Sequence, residues 1–141
     1  MTDAVPLRPG EVVQYSYLWA YEELAGHVDG RKDRPCAVMI VQATEHIVAV
    51  CPITHTPPKD GLGVPVPPRT LARLGLDDAA PCWIITTELN QFIWPGPDLR
   101  KTPAGRPSYG LLPRAVFEQV RSQLLANHAR GLTVVHRADE Y

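Results

Sequence analysis

RPCAVMIVQATEHIVAVCPITHT, residues 34–56, holds two short apolar runs, PCAVMIVQA and HIVAVCPI, on either side of a polar step. Their length and their Val and Ile content favour strands, and ATEH between them reads as the turn of a hairpin. Arg34-Pro35 stands where the first run begins. Thr54, His55 and Thr56 stand where the second ends. Antiparallel pairing brings the start of one strand beside the end of the other. The reading therefore sets a cation, Arg34, next to a hydroxyl, Thr54, at one end of a sheet. A guanidinium fork holds two phosphate oxygens and a hydroxyl donates to a third, so the pair suits a phosphodiester. The bland alternative is that Arg34 pairs with Asp29 or Asp33 at the surface while Thr54 caps a turn.

The elements around this hairpin are mostly short. EVVQYSYLW (11–19) alternates with period two and reads as a strand, with Val13, Tyr15, Tyr17 and Trp19 on one face. AYEELAGHVDGRKD (20–33) is charged and glycine-containing and reads as a long exposed loop. PPRTLARLGLDDA (67–79) holds a short helix between Pro68 and Gly75. PCWIITTEL (81–89) reads as one strand and QFIWP (91–95) as another. LLPRAVFEQVRSQLLANHARG (111–131) is the one strong helix, with Val116, Val120 and Leu124 every four residues and Phe117 and Leu125 beside them. TVVHRADEY (133–141) fits either an edge strand or a frayed tail. Many short strands and a terminal helix predict a mainly β (α+β) fold, a small antiparallel barrel with a C-terminal α-helix, in one domain over residues 1–141.

Composition narrows the function classes. Hydrophobic residues make up 45% of the 141, enough for a core, and the formal net charge of -1 is not that of a general nucleic-acid coating protein. A local basic groove remains open. No apolar run approaches a membrane span of roughly 20 residues, and MTDAVPLRPG lacks a basic start with an apolar block, so a cytoplasmic location is expected. Cys36, Cys51 and Cys82 lie far apart inside apolar runs and read as small core residues. The scattered histidines show no metal-ligand spacing, so neither metal nor cofactor is expected. The 15 prolines cluster in HTPPKDGLGVPVPPRT and WPGPDLRKTPAGRP, which read as loops around the β core.

The order of these pieces resembles the MazF/PemK family of toxin endoribonucleases. A glycine-led first strand (GEVVQYSY), Arg-Pro before an apolar strand (Arg34-Pro35), Pro-x-Thr after the next (Pro52-Ile53-Thr54) and a proline-started closing helix (GLLPRAVFEQVRSQL) carry the resemblance across about residues 10–130. It implies a partly open, SH3-like barrel that forms homodimers. It implies metal-independent cutting of single-stranded RNA (mRNA), with 2′-hydroxyl attack leaving a cyclic phosphate, and a cognate antitoxin protein as partner. By carry-over Arg34 binds the phosphate and handles protons, and Thr54 stabilises the charged transition state. Arginine is a poor base at its ordinary pKa, which makes His55 a candidate for acid–base work. Arg31, Lys32, Lys59 and Trp94 are the expected RNA contacts, with Trp83 assigned to the core. The acids Glu22, Glu23 and Asp29 oppose an RNA backbone. The competing expectation is a non-catalytic SH3-like binding module for protein or nucleic acid.

Overall fold

The computed structural model describes residues 5–28, 30, 32–59 and 61–137. Arg31 and Asp29, both weighed above, lie outside the described residues. The expected hairpin is the centre of the sheet. Strands β2 (Arg34–Gln42) and β3 (Ile47–Thr54) pair antiparallel, from Cys36 opposite Pro52 to Gln42 opposite Ile47, with a register shift between Val38 and Ile40. β1 (Glu11–Tyr15) pairs with β2, setting Tyr15 opposite Arg34.

Side chains of the central strands alternate between two separate cores. Val12, Ala37, Met39, Ala49 and Cys51 face one cluster; Val13, Cys36, Val38, Val48 and Val50 face the other. A sheet buried on both faces reads as continuous apolar runs rather than apolar–polar alternation. That is why PCAVMIV and HIVAVC show no polar face.

Helices α2 (Pro68–Leu74) and α3 (Arg114–His128) cover the first cluster. α2 begins and ends where the sequence predicts, on Pro68 and on Gly75 in a left-handed conformation (φ +75°). On α3, Val116, Val120 and Leu124 are buried, Phe117 is half-buried, and Leu125 points to solvent instead. Each fully buried side chain such as Val120 contributes about 1.5–3 kcal/mol.

Three expectations need correction. The 20–33 segment is not all loop: it opens with a short helix, α1 (Ala20–Leu24). PCWIITTEL is two strands, β5 (Cys82–Ile85) and the first part of β6 (Glu88–Ile93), which also takes in the expected QFI strand. β5 pairs with the Thr54 end of β3 and β6 with its Ile47 end, so the break at Thr86-Thr87 turns a corner. Asn127 of α3 holds that corner by donating to the Thr86 carbonyl at 2.8 Å. Third, the strands do not close into a barrel. Their order is β4 (Gly63–Val66), β5, β3, β2, β1, β7 (Leu99–Arg100), with β8 (Gly110–Leu111) also on β1, and no pairing among the described residues joins the two ends. The fold is mainly β, a nine-stranded sheet with helices. All pairings are antiparallel except that of β9 (Thr133–His136), which lies parallel to β6. No helix of the described residues is long and apolar enough to cross a membrane.

Candidate functional site

Arg34 opens β2 and Thr54 closes β3. The Cys36–Pro52 register, carried on by two positions, sets them opposite each other at one end of the sheet. Both line one cavity of about 280 Å³, with Lys32, Asp33, His55 and Asp77. The hairpin thus brings together three of the residues expected for catalysis, Arg34, Thr54 and His55, and one of the expected RNA contacts, Lys32.

Arg34 is half-buried, and its Nε is buried with no hydrogen-bond partner among the described residues. The guanidinium carbon lies 5.1 Å from the centroid of the Trp19 ring, in cation–π range. Asp33 does not neutralise it: its carboxylate is 3.7 Å from Nε of Arg100. A desolvated donor without an acceptor costs free energy, and an acceptor relieves that cost only where it reaches Nε. Thr54 Oγ1 accepts from the Thr56 N–H at 3.1 Å, which occupies a lone pair. Its hydroxyl proton remains to be donated.

His55 has close neighbours that the sequence did not suggest. Its Nε2 is 3.5 Å from Asp77 Oδ2. Its Nδ1 is 3.1 Å from the Pro81 carbonyl and 3.3 Å from Cys82 Sγ. Burial and the nearby Asp77 carboxylate push the Cys82 thiol above its ordinary value, so it stays protonated rather than acting as a nucleophile. Burial pushes Cys51 up to about 12, and raises Cys36 well above its usual range. All three cysteines are free and buried, as expected of core residues.

Other expected contacts lie elsewhere. Trp94 is at the far end of the sheet, where its backbone N–H donates to the His46 carbonyl at 2.7 Å and its side chain packs on the second core cluster. Lys59 is exposed on the loop after β3 and does not line the Arg34 cavity. Trp83, assigned to the core, is only half-buried, pairs with Thr54 across β3 and β5, and lines a larger, mostly apolar cavity of about 470 Å³.

The aromatic residue beside the cation is Trp19. Arg34 and Lys32 also line a second cavity, of about 240 Å³, with Tyr17, Trp19, Tyr21 and Glu22. Glu22 is buried here, and its Oε1 accepts from the Trp19 N–H at 3.0 Å as a helix cap, so it does not face solvent as a free acid. Glu88 anchors the same corner from β6, accepting from the Tyr17 hydroxyl at 3.1 Å and the Ala20 N–H at 2.9 Å. Burial raises its carboxyl above the ordinary 4.5, although both bonds pull it back. The chain then returns to β2 through Gly30, whose α-carbon lies so close to the backbone of Tyr17 that a β-carbon would strike the Tyr17 carbonyl. The alternating aromatics of YSYLWAY were the available signal for this wall; nothing local marked Asp77 as a neighbour of His55.

No family model matches the sequence, and no curated protein matches it. Any assignment of function rests on this geometry and on the motifs that led to it.

Proposed function

We propose that the chain is a metal-independent endoribonuclease of the MazF/PemK type, a growth-inhibiting toxin that cuts single-stranded RNA in the cytoplasm. One observation carries the reading: a single cavity joins a half-buried guanidinium with an unpartnered Nε to a threonine hydroxyl and a histidine. In this reading the open sheet is a relaxed SH3-like barrel, two copies associate, and an antitoxin tail, disordered until bound, covers the groove.

The chemistry assigns one task to each group. The substrate 2′-oxygen attacks phosphorus, the bond from phosphorus to the 5′-oxygen breaks, and a cyclic phosphate and a free 5′-hydroxyl result. Arg34 binds the non-bridging oxygens and balances the charge that builds on them. Thr54 donates its proton to the same oxygens. His55 is the group on this wall suited to take the 2′-proton and return one to the leaving 5′-oxygen. Lys32 adds a second positive charge at the rim.

The test is incubation of the folded protein with long single-stranded RNA in EDTA. Cleavage leaving cyclic phosphate ends, abolished by Arg34→Ala, is expected. Intact RNA across varied sequences overturns the reading. Asp33 and Asp77 line the same cavity and oppose a polyanion. They favour the second reading, a non-catalytic binding module, which predicts that overproduction leaves growth unaffected.

A further inference from the structure

We infer that the cavity on the other side of Arg34, walled by Trp19 and Tyr21, is a nucleobase subsite. The inference rests on the reading that Arg34 holds a phosphodiester, and adds where the attached base goes. Arg34 and Lys32 are shared by both cavities. Whatever reaches from one to the other passes along the guanidinium, as a base does from its own phosphate.

The walls select the occupant. Trp19 and Tyr21 lie nearly parallel, at 25° with centroids 6.4 Å apart, and Tyr21 is 63% exposed. Trp19 is half-buried with Arg34 over its ring, so the open face beside the cation is that of Tyr21, which offers a stacking surface for a planar group. Two positive side chains on the rim disfavour a cationic occupant, which an aromatic pocket alone would accept. A planar, uncharged ring tethered to a phosphate meets both conditions. The base must be unpaired, because one in a duplex presents only its edges.

Binding tests this without turnover. The probes are a short 2′-O-methyl oligoribonucleotide, which cannot form the cyclic phosphate, and a strand of the same length without bases. The wild-type protein is expected to bind the base-bearing strand about tenfold or more tightly than the abasic one. Tyr21→Ala, on an exposed side chain, is expected to remove that preference and leave abasic binding unchanged. Trp19→Phe retains part of it. Arg34→Ala weakens both strands alike. Equal wild-type affinity for the two strands, or a preference that survives Tyr21→Ala, overturns the subsite while leaving the phosphate reading intact. Affinity for both strands unmoved by Arg34→Ala overturns the phosphate reading and the subsite with it.

Discussion

Two arginines in this molecule lie against aromatic rings, and their surroundings differ. Arg137, just past β9, has its guanidinium 5.4 Å from the Tyr15 centroid, much as Arg34 has Trp19 at 5.1 Å. Arg137 Nη1 donates to the Ser16 carbonyl at 2.6 Å and to Asn90 Oδ1 at 3.0 Å. Its Nη2 lies 3.1 Å from Asp98 Oδ2, an ion pair outside hydrogen-bond alignment. Its side chain is 2% exposed. Among the described residues Arg34 has no such shell, and it borders two cavities. One cation is closed off by its own protein; the other is held in place with its coordination incomplete. The first arrangement stitches β9 to the end of β1, and the second suits an external anion.

The contrast breaks most visibly at Arg137. Arg137→Ala leaves Asp98 buried beside a cavity and is expected to cost about 3–5 kcal/mol in denaturant unfolding. A cost below about 1 kcal/mol would mean that Arg137 is no more structural than Arg34. Arg34→Ala is expected to do the reverse. RNA cleavage should fall by about 10²–10³-fold or more, with a loss of stability well below that of Arg137→Ala. Comparable unfolding of the two variants would erase the distinction. Thr54→Val keeps the shape and removes one donor, so a loss of about tenfold or more in cleavage rate is expected, with substrate affinity changed less.

The smallest effect concerns the acid behind the aromatic wall. Glu88 holds its proton to higher pH in the folded chain than its ordinary 4.5. Below that pH it is neutral folded or unfolded and costs nothing. As pH rises through 4.5 the unfolded chain ionises first, so stability is lost across the window up to the folded value. Glu88→Gln keeps acceptors for Tyr17 and Ala20 without the charge. As pH rises through this window the wild type should therefore lose thermal stability relative to Glu88→Gln, and a difference between their melts that does not change with pH would contradict it.

Legibility in the sequence followed the range of the interactions. The β2–β3 hairpin, α2 and α3 were legible because period, proline and glycine signals are local. Arg34, Thr54, His55 and Lys32 were legible as neighbours because a hairpin fixes them. The corner at Thr86-Thr87 was not, since its β-branched residues continue the strand pattern and the bond that breaks it comes from Asn127. α1 was missed because five residues with a glycine close behind give no periodicity to read. Trp94 was weighed against Trp83, and Trp19 was legible only as a position on the first strand, because no local pattern encodes its contact with Arg34.

The close approach of Gly30 to Tyr17 has a thermodynamic meaning. With backbone pressed on backbone, Gly30 is fixed against Tyr17 when the chain folds. The entropy of fixing Trp19 and Tyr21 beside Arg34 is then lost at folding and not again on binding. Adding a methyl group at this one position would loosen the cleft and shift that loss onto every binding event.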